Sequence, residues 1–177
     1  MPQKYVKKIL DARIYDLAIE TPVDAAPLLS KRLNNTVLLK REDLQPVFSF
    51  KLRGAYNKLR QLSKVERTGG VIAASAGNHA QGLALAAQKM GVDATIVMPK
   101  TTPRIKVDAV RGWGAKVILF GDNYNAAAEH ANQLVACGGV LSAHISARSS
   151  PIYTNEGIRV WCGLRALSEI EYQLLRN

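Results

Sequence analysis

Lys51 lies in a segment that could support covalent chemistry, SFKLRGA at 49–55. The segment stands where a loop leads into a predicted helix. A phenylalanine beside a lysine can shield its amine from water, and a shielded amine loses its charge readily enough to form a Schiff base. The alternative is an ordinary solvated lysine on a first helical turn. The residues alone leave both interpretations open.

The segment SAGNHAQG at 75–82 is a candidate anion-binding loop. It directly follows a predicted strand and opens a predicted helix, a junction where parallel α/β sheets bind anions through free backbone N–H groups. Gly77 would let the backbone approach a ligand, and Ser75 and Asn78 add short hydrogen-bonding side chains. A plain N-cap by serine or asparagine, with no ligand, is the alternative. His79 by itself is more typical of a surface histidine than of a catalyst.

Two further features are better explained by structure than by chemistry. Gly112-Trp113-Gly114 could form a ligand loop, but the end of a helix is the simpler interpretation. The two cysteines, Cys137 and Cys162, are too few for a disulfide framework and lack the spacing of metal ligands. We therefore predict structural thiols and no metal site.

A regular alternation of apolar runs and helical patterns positions these segments. Strands are predicted at 71–75, 94–99, 116–120 and, more weakly, 138–143, and helices at 78–90, 103–111 and 123–136. Such alternation implies a parallel sheet joined by crossover helices, so the predicted fold class is α/β. Outside this unit we expect an amphipathic helix over 4–19, a short strand over 36–40 and a helix over 164–175.

Composition and charge narrow the classes of function. The chain has 177 residues and 19.3 kDa, room for about one domain, with 47% hydrophobic residues and no apolar stretch long enough to span a membrane. With no secretory signal either, a cytoplasmic protein is expected. The net charge of +10 is interleaved with acidic residues, and aromatic residues make up only 6%, so a nucleic-acid partner is not expected. A Rossmann-type nucleotide binder is disfavoured because the loop after 71–75 lacks G-x-G-x-x-G spacing.

The two chemistry-bearing segments together resemble one enzyme family. KREDLQPVFSFKLRGAY at 40–56, followed by ASAGNHAQGLA at 74–84, is similar to the threonine dehydratases, also called threonine ammonia-lyases. These are pyridoxal-phosphate enzymes of the fold type II superfamily, which includes tryptophan synthase β and cysteine synthase. The resemblance covers about residues 4–143. Phe48 within QPVFSFK, with the leading YVKKILDARIYD, looks more like the biosynthetic, isoleucine-pathway branch than the catabolic one.

The resemblance implies a cofactor, pyridoxal 5'-phosphate, and a role for each of several residues. Lys51 falls on the family's Schiff-base lysine, and Phe50 on the residue that packs against the pyridine ring. Asn78 matches the side chain that hydrogen-bonds the phenolic oxygen of the cofactor. The loop that receives the substrate carboxylate corresponds to Ser75, Gly77, Asn78 and His79.

The implied reaction converts L-threonine to 2-oxobutanoate and ammonia, and serine would react likewise to give pyruvate. Lys51, freed and neutral for that moment, would remove the Cα proton while the cofactor accepts the electron pair. The same resemblance implies three regions. Residues 1–50 would be the first part of a large cofactor domain, 51–143 a small α/β domain and 144–177 a divergent tail.

The resemblance is expected to reach only the N-terminal portion of the family's fold. The family cradles the cofactor phosphate with a glycine-rich loop downstream of the small domain, and no run of more than two glycines occurs here. We hypothesise a truncated or frame-shifted coding sequence with weak or no activity alone. The alternative is a non-catalytic remnant, or a fragment that needs a complementary chain, and a homo-oligomer is also open. Apolar faces left exposed on the N-terminal elements would favour such association.

Overall fold

The structure, a computed structural model, describes residues 9–137 and 143–144. Its first part contains a small antiparallel sheet of β1 (Val23–Ala25) and β2 (Leu38–Lys40), with helix α1 (Pro27–Leu33) between the two strands. Pro27 is the first residue of α1, where its fixed φ suits a helix and its missing N–H has no partner to lose. A 3-10 turn, Glu42–Leu44, then leads into the loop before the next helix.

Two helices follow before the main sheet begins. Helix α2 (Lys51–Gln61) buries one face, and the short helix α3 (Lys64–Thr68) starts at a capping box. In that box the Ser63 hydroxyl accepts from the N–H of Glu66, and the Glu66 carboxylate accepts from the N–H of Ser63. The capping box fixes the point at which the chain turns toward the sheet.

The main unit is a parallel four-stranded sheet with a helix between consecutive strands. In chain order it comprises β3 (Val71–Ala74), α4 (Asn78–Met90), β4 (Ala94–Met98), α5 (Arg104–Gly112), β5 (Lys116–Leu119), α6 (Tyr124–Ala136) and β6 (Ala143–His144). The spatial order is β5-β4-β3-β6, with all neighbours parallel. The central strands β3 and β4 are buried along their whole length, as expected for a sheet covered on both faces.

Alternate residues of the central strands face two separate cores. Val71 and Ala73 of β3 join a core with α2, α4 and α5, whereas Ile72 and Ala74 pack against α6. Helix α2 lies against α4, so it forms an outer layer on that side of the sheet. This layering sets the start of α2 close to the helix that opens after β3. No helix in the described ranges is long and apolar enough to cross a membrane.

The sequence-based elements from residue 71 to 137 are confirmed within one or two residues. The predicted helix over 78–90 coincides with α4, and Gly91 ends it in the left-handed conformation at φ +63°. Gly112 ends α5, as the helix-stop interpretation of this glycine requires. The predicted strand at 138–143 is described only by its last residue, which begins β6, and the helix predicted over 164–175 lies outside the described residues.

The amphipathic helix predicted over 4–19 is wrong for residues 11–19. Only a 3-10 turn, Ile14–Asp16, occurs there. The backbone of Ile19 bonds instead to the side chain of Gln45: its N–H donates to Oε1 at 3.1 Å, and its carbonyl accepts from Nε2 at 2.8 Å. Ala18 packs beside Val47 and Leu52. Tertiary contacts therefore override a helical periodicity whose first residues, 1–8, lie outside the described ranges.

The strand predicted over 36–40 is present but shorter, and its surroundings were not predicted. It pairs with β1, which the sequence did not predict. The composition of Asp24–Pro27, which overlaps β1, indicates a connection rather than a strand. Three residues are too few for a period of two to be recognised. Every residue of β2 is exposed, as are Leu28 and Leu33 on α1. The expected exposure of apolar surface is therefore confirmed for the strand within 36–40, and Leu28 and Leu33 of α1 add to it.

Candidate active site

Lys51 begins α2, as the sequence predicts, and its side chain is half-buried. Its backbone N–H donates to the Oγ of Ser49 at 3.3 Å. Phe50, also half-buried, occupies the N-cap position with helical angles and provides no side-chain cap. Lys51 therefore lies at the N-terminal end of a helix that has no side-chain cap. The conformation of the preceding loop must be fixed by other contacts.

The loop at 45–50 holds that shape through buried anchors on either side of a strained residue. Phe48 has φ +54°, a left-handed conformation that costs a bulky residue about 1–2 kcal/mol. The side chains of Gln45, Val47 and Ser49 are all buried. Val47 packs in a small core with Leu52 of α2 and other apolar residues. Burial of these alternate residues thus offsets the strain at Phe48 and fixes the path of the chain that leads to Lys51.

The loop after β3 lies at the carboxyl end of the central strands. The N–H of Ser75 donates to the carbonyl of Val97 at 3.1 Å, which continues the β3–β4 ladder by one residue. The N–H of Gly77 donates to the Ser75 Oγ at 3.4 Å. Gly77 is the N-cap of α4 and no side chain caps this helix, so the plain N-cap alternative for Ser75 or Asn78 is not what forms. Asn78 is exposed.

Gly82 brings the two candidate segments together. It lies about one turn into α4, and a Cβ added to it would lie 3.1 Å from the backbone N of Leu52 and 3.2 Å from the carbonyl carbon of Lys51. Only glycine lets the two helix backbones approach this closely. The start of α2, with Lys51, is therefore packed against the first turns of the helix that opens at Asn78.

His79 differs from the surface histidine expected of an isolated residue. Its side chain is 6% exposed, on the first turn of α4. It is therefore buried within the fold rather than solvated at the surface. Cys137 is exposed at the end of α6 rather than a buried structural thiol, and Cys162 lies outside the described residues.

A buried ion pair joins α2 to the segment that precedes the loop. Arg53 is 2% exposed, and its Nε and Nη2 each donate to a carboxylate oxygen of Glu42 at 2.8 Å. The hydroxyl of Thr21 donates to Glu42 at 2.7 Å. Arg53 Nη2 also donates to the carbonyl of Ile19 at 3.1 Å. We call Ile19, Thr21, Glu42, Gln45 and Arg53 the arginine cluster.

The electrostatics of this cluster favour an ionised Glu42. Burial alone would raise the pKa of Glu42, but hydrogen bonds from Arg53 and Thr21 outweigh burial and hold it below the ordinary value of 4.5. A carboxyl group whose pKa is depressed by folding stabilises the fold above its unfolded-state pKa. That contribution is lost as the pH falls through the lower pKa of the folded state.

Replacing Glu42 by glutamine is therefore expected to destabilise the chain in a pH-dependent way. At pH 7 the loss should be about 2 kcal/mol, because Arg53 keeps its burial but loses its counter-charge. The difference from the unchanged chain should begin to shrink as the pH falls below the unfolded-state value of 4.5, and it should be smallest below the lower folded-state pKa, where the folded Glu42 becomes protonated. Urea denaturation followed by circular dichroism at pH 7, 5, 4 and 3 measures this difference.

Asp108→Asn is the control, because the ion pair of Asp108 with Arg104 is exposed. It should change the free energy of unfolding by about 0.5 kcal/mol or less at every pH. A Glu42→Gln difference that stayed constant from pH 7 to 3 would contradict a role for the ionised carboxylate.

Sequence reasoning missed the residues that join the two segments. Gly82 carries a recognisable signal, because a lone glycine within an alanine- and leucine-rich helix often marks a close approach. The pairing of Arg53 with Glu42 carries none, since the two are 11 positions apart and belong to no common period. Gln45 likewise finds Ile19 across 26 positions.

Fold and site together define a class of protein. In this class a parallel α/β sheet presents a strand-to-helix loop, and a lysine at a neighbouring helix start provides a covalent attachment point. Residues 14–171 match the pyridoxal-phosphate dependent enzyme family, and the chain belongs to that family. The cofactor that the sequence led us to expect is thus the cofactor of the family.

The curated relatives are threonine dehydratases. The chain is 56% identical over 130 residues to threonine dehydratase 1 biosynthetic, chloroplastic, of Solanum lycopersicum, covering 73% of this chain and 22% of that protein. It is 55% identical over 143 residues to L-threonine dehydratase biosynthetic IlvA of Burkholderia multivorans, covering 79% and 28%. The chain thus spans about a quarter of the length of these relatives.

Solved structures agree with the sequence relatives. The processed form of threonine deaminase isoform 2 from Solanum lycopersicum matches with a TM-score of 0.75 and 51% identity, over 81% of this chain and 39% of that one. Maize serine racemase matches with a TM-score of 0.72 and 30% identity, over 77% and 43%. The expected tryptophan synthase β-like fold and the resemblance to biosynthetic threonine dehydratases are both confirmed, for part of that fold.

Three features of the structure fit a pyridoxal cofactor and its amino-acid substrate. Lys51 is half-buried at a helix start. A Cβ added to Gly77 would meet nothing within 4 Å, so there is room beside this loop. No side chain among the described residues caps the start of α4, so the N–H of Asn78 can serve an anion. Within residues 9–137 the only consecutive glycines form the turn at Gly69–Gly70, so this part of the chain offers no glycine-rich cradle for the phosphate.

Proposed function

We propose that the chain is the lysine-bearing part of a pyridoxal 5'-phosphate-dependent L-threonine ammonia-lyase, which converts threonine to 2-oxobutanoate and ammonia in isoleucine biosynthesis. One observation carries the proposal. Gly82 packs the start of α2, with Lys51, against the helix that opens from the loop at 75–78. A covalent attachment point and a candidate carboxylate site are thereby held on two contacting helices.

Lys51 would hold the cofactor covalently, and Phe50 would pack against its ring. When bound, the cofactor supplies an electron sink for the pair that remains when a proton leaves the substrate Cα. The Nζ of Lys51, released from the cofactor and neutral, would take that proton as a general base. Its position on the first turn of a packed helix limits the directions from which it can approach the substrate.

The loop after β3 would bind and orient the substrate. The N–H of Asn78 at the start of α4 and the Ser75 hydroxyl would suit a carboxylate, and the helix dipole would add to this attraction. The missing side chain of Gly77 leaves the space that a carboxylate needs. Asn78 would hydrogen-bond the phenolic oxygen of the cofactor, and the buried His79 would complete the loop that receives the carboxylate. The hydroxyl of serine would leave in the same way as that of threonine.

The first test is selective labelling of the full 177-residue chain by pyridoxal 5'-phosphate. Condensation of a lysine amine with the aldehyde releases water, and borohydride then reduces the carbon–nitrogen double bond. Peptide mass spectrometry should find the phosphopyridoxyl group on Lys51 in preference to the other lysines. Labelling spread over many exposed lysines would contradict the proposal.

A 2-oxobutanoate assay with threonine separates two forms of the proposal. Turnover together with selective labelling would mean that the chain is an enzyme as it stands. Selective labelling without turnover would favour the second candidate, a non-catalytic fragment that needs a complementary chain.

A specific observation favours that second candidate. The small sheet and α1 expose several apolar side chains, including Leu28 at 84% and Leu33 at 58%. Exposed apolar side chains grouped within one short segment are typical of an interface. We propose that a complementary polypeptide of the same family covers residues 23–40, and a homo-oligomer is the competing arrangement. Sedimentation of the chain alone should show a monomer or irregular aggregates, and a discrete dimer would favour the competitor.

The remaining assignments are proposals of the same kind. We propose that residues 51–143 form the small α/β domain, that 1–50 belong to a large cofactor domain and that 144–177 are a divergent tail. The packing of α2 on α4 supports grouping α2 with the sheet. Cytoplasmic location is also a proposal, since three plant relatives are named as chloroplastic.

A further inference from the structure

The arginine cluster includes Arg53, which lies on the first turn of α2 together with Lys51. Arg53 is two residues beyond Lys51 on the same helix, and about 200° of rotation separates their side chains. Arg53 therefore points away from the side on which Lys51 leaves the helix. Any effect of Arg53 on Lys51 must pass through the backbone of the first turn of α2.

The cluster ties that first turn to the segments on both sides of the strained loop. Through Glu42 and the Ile19 carbonyl, Arg53 joins α2 to residues 19–21 and 42–45. Gln45, at the start of the loop, bonds to the same Ile19 by two hydrogen bonds. The loop that includes Phe48 is thus closed at both ends on one buried group of residues. Movement of either end would have to break a buried hydrogen bond.

The hydrogen bonds of Arg53 fix the orientation of its side chain but do not maximise the stability of the fold. Two parallel N–H···O bonds to one carboxylate fix the plane of the guanidinium group, which a lysine could not do. The ring of Tyr15 lies over the guanidinium carbon at 5.2 Å. The Nη1 of Arg53 is nevertheless buried without a hydrogen-bond partner among the described residues, which costs stability. Replacing such a pair by apolar residues is often stabilising, so its presence favours a geometric role.

We propose that Arg53, held by Glu42, is a positioning residue that sets the direction in which Lys51 leaves α2 toward the cofactor. This inference rests on the proposed function, since it assigns Lys51 as the attachment point. In this arrangement Arg53 and Glu42 would touch neither cofactor nor substrate. They act on Lys51 only through the backbone of 45–53.

The experiment compares labelling at two lysines within the same molecules. The full chain and its Arg53→Lys and Glu42→Gln variants are treated with pyridoxal 5'-phosphate and borohydride, well below their melting temperatures. Mass spectrometry then gives the ratio of labelling at Lys51 to labelling at Lys58, which lies on the same helix and is also half-buried. Both variants should lower this ratio by about tenfold, because small displacements of a reacting group have large effects on its rate.

Arg60→Lys is the matched control. Arg60 pairs with Asp16 from the far end of α2, at 3.5 Å and partly exposed, and has no link to the loop at 45–50. This variant should keep the ratio within about twofold of the unchanged chain, since exposed pairs contribute little. Circular dichroism reports whether each variant is folded.

Each outcome decides one question. If the unchanged chain labels Lys51 selectively and the folded Arg53→Lys and Glu42→Gln variants keep its ratio, the positioning role is wrong and the proposed function stands. If both variants lose their fold, the pair is a stability element and the positioning role is also wrong. If the unchanged chain itself shows no preference for Lys51, the proposed function fails and the inference fails with it.

Discussion

Replacing Lys51 by alanine is expected to abolish selective attachment of pyridoxal 5'-phosphate to the chain. In any preparation that forms 2-oxobutanoate, kcat should fall by about a thousandfold or more, because the proposed covalent attachment point and the proposed general base are both removed. The fold should survive, since Lys51 is only half-buried on a first helical turn and no ion pair joins it to another described residue. Labelling, the 2-oxobutanoate assay and circular dichroism measure the three effects.

Lys58→Ala is the control for this substitution. It removes the same type of side chain from the same helix, about two turns further along and equally half-buried. Labelling at Lys51 and any turnover should be unchanged. A Lys51→Ala chain that still formed 2-oxobutanoate at the rate of the unchanged chain would show that another group does this chemistry.

Replacing Gly82 by valine is expected to separate the two helices that form the site. The new Cβ would lie 3.1–3.2 Å from backbone atoms of Lys51 and Leu52, and helix backbone cannot yield as the end of a flexible side chain can. We expect a loss of about 3 kcal/mol in the free energy of unfolding, the upper part of the range for overpacked cores. Selective labelling of Lys51 should fall as well. Urea denaturation and the labelling ratio report the two effects.

Gly112→Val introduces the same side chain at another helical glycine. A Cβ at Gly112 would meet nothing within 4 Å and the residue is exposed, so this variant should differ from the unchanged chain by about 0.5 kcal/mol at most. The comparison cancels the intrinsic helix preference of valine over glycine. Equal stability of the two valine variants would mean that the close approach of α2 and α4 is not required.

The N-terminal segment shows where local pattern misleads. The periodicity of residues 4–19 predicts one amphipathic helix, but Ile19 uses its backbone groups to bind Gln45. Helix α1 was not predicted, although Pro27 is a local signal for it. Proline is favoured at the first position of a helix, and Pro27 occupies that position. The polar and proline-marked composition of 24–27 indicated only a connection. The strand that was missed, β1, has only three residues, which are too few for an alternation of apolar and polar side chains to be recognised.

Local sequence determined the parallel α/β unit and the two segments that carry chemistry. Strands as apolar as β3 and β4 must be buried on both faces, and a helix such as α4 starts and ends at residues whose conformational preferences are intrinsic. The family resemblance rested on the same local residues, Lys51 and the loop at 75–82. Each of these properties depends on neighbours within a few positions along the chain.

Tertiary structure alone decided how those two segments meet. The contact of Gly82 with the start of α2 joins residues about 30 positions apart, and Arg53 finds Glu42 across a loop whose shape depends on Phe48. No periodicity links such partners, because their closeness follows from how helices pack on the sheet and from which buried polar groups require partners. The sequence by itself therefore identified the candidate residues, whereas folding set the distance between their helices and the anchoring of the lysine.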